Sequence, residues 1–360
     1  MIPFFNVREQ YLDCQREIDH NMQYAMSTGQ MYSGEFLDQL TKIIAMDYGN
    51  IVFQQITLTN SGTSALITAL IAAKIPAGKF VLMPTLTYAA TAQAVLAAGL
   101  SPVFVDVDAH YLMDMEHLNK QYERFRPSVG AVIAVDLYGQ QMDTEQLNEW
   151  CKERNLKVIL DAAQSYGLRP YATDLDAICL SFNPLKNWGG TGGGAVITNI
   201  HTDLELLRAA THEGKNSQGI VVGYGTNMRM DSIQAAVLLA KRDYVRDHLG
   251  RKNHIHSRYR KHFVDIMPLS TDWRNQIFNP YVSVIAPQDP VSVRAALDAA
   301  NIEHRSHYAV PLHMEPAFER YATPCPHAES LAGRLISLPN HWHLRDDQVD
   351  TVIAVVQSAL

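Results

Sequence analysis

The chain has 360 residues, 47% of them apolar and 19% charged, which suits a globular protein of one large or two smaller domains. Its formal net charge of −7 excludes general affinity for nucleic acid or an anionic membrane surface, both of which need a basic face. No apolar run reaches the roughly 18 residues of a membrane span, and Met1–Tyr11 lacks the basic and apolar regions of a signal peptide.

The four cysteines, Cys14, Cys151, Cys179 and Cys325, show no CxxC spacing. A reduced, cytoplasmic set of thiols is the expectation.

In chain order, the apolar spacing predicts a helix over Tyr11–Met26, breaks at Gly29 and Gly34, and a second helix over Phe36–Tyr48. Strands are then predicted at Ile56–Thr59, Phe80–Met83, Val103–Val107, Ala131–Val135, Val158–Leu160, Ala177–Leu180 and Ala195–Thr198. The intervening helical patterns include Ala65–Lys74, Ala89–Ala98 and Thr144–Asn155. This alternation predicts an α/β protein with about seven strands in a mostly parallel sheet. The link from Ser181 to Gly194 carries only Pro- and Gly-rich chain, too irregular for a helical crossover. The strand Ala195–Thr198 is therefore predicted to run antiparallel to its neighbours.

Further helices are predicted at His201–His212 and Met230–His248, the latter capped by Asp231 or Asn227, with a loop over Glu213–Gly225 between them. The pattern then changes. Residues 1–245 form the expected large domain, and residues 246–360 a smaller C-terminal α/β domain. The latter holds a strand at Tyr281–Ile285, a helix at Val291–Ala300 and a closing helix near Asp347–Ser358.

The chemistry gathers at strand ends. Val158–Leu160 ends at Asp161, with Gln164 three residues on, and Ala177–Leu180 ends at Ser181, with Lys186 five residues on. An acid, an amide, a hydroxyl and a lysine so placed suit pyridoxal 5'-phosphate. The lysine amine can join an aldehyde. Asp161 can hold the ring nitrogen protonated, so that the ring draws in electrons. Gln164 can hydrogen-bond the phenolic oxygen, and Ser181 the phosphate. The turn Asn60–Ser64 opens a helix and offers free N–H groups to a phosphate. Tyr88, past the end of a strand, can stack on an aromatic ring.

Two competing motifs fail on context. Gly190, Gly192 and Ala195 fit the dinucleotide pattern G-x-G-x-x-A, but the run leads into a strand instead of opening a helix. The H-x-H pairs His254/His256 and His341/His343 lack a third ligand, so no metal site is expected.

Taken in order, several stretches resemble the DegT/StrS-type branch of pyridoxal-phosphate-dependent aminotransferases, which act mostly on keto-sugars. They are Asn60–Leu66, Pro84–Ala90, Pro102–Asp106, Leu137–Gln140, Asp161–Gln164, Ser181–Asn187, Asn227–Ala236 and Leu338–Pro339. The resemblance implies fold type I and covalent attachment of the cofactor to Lys186. It places Asp161 on the pyridine nitrogen, Gln164 on the phenolic oxygen and Tyr88 on the ring, with Gly62, Thr63 and Ser181 at the phosphate. It further implies that Asn227 reaches the neighbouring subunit's cofactor in a homodimer with shared sites. Arg229 and His313 become candidates for substrate carboxylate or diphosphate, ahead of Lys215, Arg305, His307 and Tyr308. The sequence departs from the family pattern at Leu185, at Gly192 and in the loop Gly214–Gly225, all near the expected substrate mouth.

The activity implied is transfer of an amino group from glutamate (or glutamine) to a nucleotide-linked keto-hexose, in amino-sugar or polysaccharide biosynthesis. A sugar dehydratase-like enzyme using pyridoxamine phosphate and a non-catalytic regulator of the same fold are the alternatives. Lys186 favours transamination.

Overall fold

The computed structural model describes residues 1–49, 51–167, 175–199, 203–269 and 279–360. Seven strands form one sheet: β1 (Ile56–Thr59), β2 (Phe80–Pro84), β3 (Ser101–Val105), β4 (Val129–Val135), β5 (Lys157–Asp161), β6 (Ala177–Ser181) and β7 (Gly194–Thr198). Their spatial order is β1-β7-β6-β5-β4-β2-β3. β7 pairs antiparallel with both β1 and β6, and every other pairing is parallel, as the missing crossover after Ser181 required. The central strands are almost wholly apolar and buried, as befits a sheet covered on both faces. The helix Gly62–Ala72 lies across β1, β6 and β7.

This arrangement brings the ends of β1, β2, β4, β5 and β6 to one edge. At or just past these ends stand Gly62, Tyr88, Tyr138, Asp161 and Lys186. In open α/β sheets that carboxyl edge is where ligands bind.

A second sheet pairs β8 (Ser283–Ile285) antiparallel with β9 (Ile336–Leu338). It shares a separate core with the helices Val245–Phe263, Pro290–Ala299 and Asp346–Ala359, through Tyr259, Phe263, Val293, Leu297, Val349 and Val352. Among the described residues, no helix is long and apolar enough to cross a membrane.

Two helices differ from expectation. Tyr11–Met26 is split into Val7–Asp13 and Gln15–Thr28, because Cys14 leaves helical geometry (φ −128°, ψ 27°) while its thiol reaches the Gln10 carbonyl. Met230–His248 is likewise two helices, Ser232–Ala240 and Val245–Phe263, separated by a tight turn at Arg242–Tyr244. At the break, Lys241 turns its amine inward to Gln10 Oε1 and the Gly189 carbonyl. Asp231 is the cap, in a box with Gln234. The helix expected from His201 runs over Leu204–Thr211, and its first two residues lie outside the described chain.

Candidate active site

Ser61 caps the helix Gly62–Ala72, its hydroxyl accepting from the Ser64 N–H at 3.1 Å. The N–H groups of Gly62 and Thr63 then stand in the first turn, where a helix offers them no carbonyl. Ser181, at the end of β6, packs directly against this turn. A Cβ on Gly62 would lie 2.7 Å from the Ser181 Cβ and 2.9 Å from its hydroxyl. Glycine is therefore required here for the serine to approach the helix end. Free N–H groups, a positive dipole end and a hydroxyl make a cradle for a phosphate.

Asp161 closes β5 and is buried. Its carboxylate accepts from the Thr91 hydroxyl at 2.9 Å and from the Ala163 N–H at 3.2 Å. Burial nevertheless raises its pKa, against the opposing pull of these hydrogen bonds and of Lys186. A carboxylate so desolvated gains most from a cationic partner, which a protonated pyridine nitrogen would supply.

Gln164 accepts the Tyr138 N–H at 2.7 Å through Oε1, so its Nε2 must donate outward, and it does so to the Tyr308 hydroxyl at 3.1 Å. The Tyr308 ring in turn lies 6.0 Å from that of Tyr88, which is exposed and open to a stacking partner.

Lys186 sits in the turn after β6, with its amine 4.3 Å from the centre of the Tyr281 ring. Burial lowers its pKa to about 8, opposed by the charge of Asp161. A desolvated lysine of this kind carries free amine near neutral pH and can attack a carbonyl.

The structure thus brings Gly62, Thr63 and Ser181 together at one end of the site, and Asp161, Gln164, Tyr88 and Lys186 around the rest. Three expected residues stand apart. Asn227 is exposed beside the phosphate turn, its backbone carbonyl accepting from Asn60 Nδ2 at 3.3 Å. The Arg229 guanidinium packs over the Tyr32 ring at 4.5 Å. His313 is buried, with Nδ1 2.6 Å from the Thr85 hydroxyl and Nε2 3.2 Å from the Glu329 carboxylate. Sequence reasoning missed Thr91, Tyr138 and Tyr281. Thr91 was the most accessible of these, as the one hydroxyl in the mostly apolar helix that follows Tyr88.

A phosphate cradle, a buried acid awaiting a cation and an amine of low pKa, all on one sheet edge, are the equipment of a pyridoxal-phosphate enzyme. The model of the DegT/DnrJ/EryC1/StrS aminotransferase family matches residues 13–357. The chain is 33% identical over 83% of its length to the UDP-N-acetyl-3-dehydro-alpha-D-glucosamine 3-aminotransferase of Acidithiobacillus ferrooxidans, covering 83% of that protein. It is 28% identical to the UDP-2-acetamido-2-deoxy-3-oxo-D-glucuronate aminotransferase of Pseudomonas aeruginosa, over 99% of both chains. Among solved structures, DesV of S. venezuelae, in complex with a ketimine intermediate, superposes with a TM-score of 0.91 at 29% identity, over 99% of this chain and 98% of that one. The chain belongs to the DegT/DnrJ/EryC1/StrS family and is a pyridoxal-phosphate-dependent aminotransferase.

Proposed function

We propose that this enzyme moves an amino group from glutamate (or glutamine) to a nucleotide-linked keto-hexose, forming an amino sugar. The observation that carries this reading is geometric: the Lys186 amine, 4.3 Å from the centre of the Tyr281 ring, stands on the same sheet edge as the buried Asp161 and the Gly62–Ser181 cradle. The cofactor, when bound, would supply an electron sink for the reacting carbon. Asp161 would hold the ring nitrogen protonated, and Gln164 would donate to the phenolic oxygen without adding charge. Gly62, Thr63 and Ser181 would hold the phosphate, and Tyr88 would cover the ring. The Lys186 amine, when free, would be the base that carries a proton to and from the reacting carbon. Both relatives described above act, by name, on UDP sugars oxidised at carbon 3. Carbon 3 is accordingly the position we assign for amination.

We further propose a homodimer in the cytoplasm with sites shared between subunits. Asn227 and the neighbouring apolar residues Ile220, Val221, Val222 and Tyr224 are exposed on this subunit, which suits a segment that docks on a second copy. Arg229 and His313 remain the assigned contacts for substrate. His313 fills this role only by giving up its present partners. We also propose residues 1–245 as the large domain and residues 246–360 as the small one.

The test is to bleach the cofactor absorbance with glutamate and then add nucleotide sugars bearing a ketone at carbon 3 or carbon 4. Return of the colour with a carbon-3 ketone supports the assignment. Bleaching by glutamate with no recovery on any keto-sugar would overturn it.

A further inference from the structure

Lys252 lies on the helix Val245–Phe263 with its side chain fully buried, and has no carboxylate partner among the described residues. Its amine donates instead to two neutral oxygens, Asn187 Oδ1 at 2.6 Å and the Tyr281 carbonyl at 3.1 Å. Both acceptors belong to residues beside the candidate catalytic lysine. Asn187 directly follows Lys186, and the Tyr281 ring lies against the Lys186 amine at 4.3 Å while standing 5.8 Å from that of Lys252. The same strand of chain is tied down elsewhere: Asn187 Nδ2 donates to the Asn279 carbonyl at 3.2 Å, and the Tyr281 N–H to the Tyr138 carbonyl at 2.9 Å.

An ammonium buried on neutral oxygens carries a desolvation cost that no opposite charge beside it offsets, so its place in the site calls for a reason. We propose that Lys252 is a positioning residue for Lys186: it gathers Asn187 and residue 281, sets the Tyr281 ring against the Lys186 amine and places a second cation in the same pocket. The proposal rests on the reading of Lys186 as the amine that holds the cofactor.

Electrostatics in the pocket agree with this geometry. Lys186 faces Asp161, Tyr281 and His307, and Lys252 faces Lys186, His248 and His341. Burial lowers the three histidines to about 4 and raises Tyr281 to about 12, so all four are neutral at pH 7. Asp161 and the two lysines are the groups left to interact as charges. Lys252 is lowered to about 7, first by burial and then by the charge of Lys186. Such coupling is reciprocal, so charge on Lys252 disfavours charge on Lys186. A cation beside an amine is a known way to keep that amine nucleophilic.

The experiment uses cofactor-free full-length protein carrying lysine labelled with carbon-13 at the ε position, titrated by NMR. The variants Lys186→Met and Lys252→Met assign the two signals. In Lys186→Met the Lys252 midpoint is expected to rise by about one pH unit. In Lys252→Arg, where the cation never deprotonates, the Lys186 midpoint falls by a similar amount. In Lys252→Met the Lys186 midpoint stays near its wild-type value, because Lys252, at about 7, is mostly neutral where Lys186 titrates at about 8. An unmoved Lys252 midpoint in Lys186→Met, or an arginine variant whose Lys186 midpoint matches that of the methionine variant, would overturn the proposal, and the Lys186→Met arm decides the matter if Lys252→Arg does not fold. Failure of the underlying cofactor reading is scored separately, as wild-type protein that captures no pyridoxal phosphate at Lys186.

Discussion

Asp161 accepts two hydrogen bonds and its pKa is still raised from the ordinary value, because burial outweighs them. A carboxylate so buried would gain from a cationic partner, and that yields a direct test. Asp161→Asn keeps one oxygen for the Ala163 N–H and turns an amide N–H toward the Thr91 hydroxyl, which can accept it, but loses the charge that would hold a ring nitrogen protonated. The expected result is a loss of at least about a hundredfold in kcat/KM, the scale of removing one electrostatic group from an active site. The melting temperature should hold or rise, since a buried charge has gone. Activity within a few-fold of wild type would remove Asp161 from the mechanism. The residues of this core site were legible because Asp161, Gln164, Ser181 and Lys186 follow two adjacent strands in one short stretch. Tyr281 and Lys252 were not. They come from the far half of the chain, and their meaning depends on a packing that no local pattern encodes.

At the scale of elements, topology was easier to read than helix continuity. The antiparallel direction of β7 follows from what is missing after Ser181, and the structure places it between β1 and β6 in that sense. The two misread helices kept their apolar spacing across their breaks. The first breaks locally, where the Cys14 thiol takes the Gln10 carbonyl, and the second where Lys241 turns inward to Gln10 and Gly189. The loop expected over Glu213–Gly225 is more ordered than its composition suggested, since Lys215 and Val221 pair across it and Asn216 caps its turn. Its exposed apolar tip motivates a second prediction. Ile220→Asp with Val222→Asp should shift the protein toward a monomer of 40.3 kDa in sedimentation, with loss of cofactor sites completed by the partner. A dimer of unchanged stability would show that this hairpin is not the interface.

Across the whole molecule, the acid sensitivity should be uneven. His248, His256, His307 and His341 all lie beyond residue 245, and burial lowers their pKa values to about 4, 3, 4 and 4. Unfolded histidine titrates near 6.5, so between those values the unfolded chain binds more protons than the folded one. Stability is therefore lost as pH falls below about 6.5, and the loss should begin in residues 246–360. Hydrogen exchange at pH 5 checks this: earlier exposure of the helix Val245–Phe263 than of β4 and β5 is expected, and uniform exposure would contradict it.

The central claim is that Lys186 is the amine that takes the cofactor. Protein mixed with pyridoxal phosphate, reduced with borohydride, digested and mapped by mass spectrometry should carry the added mass on the peptide containing Lys186. Uptake should increase as pH rises through about 8, because only the neutral amine attacks and burial sets that midpoint. A label found on another lysine, or none at Lys186 above pH 8, would contradict the account.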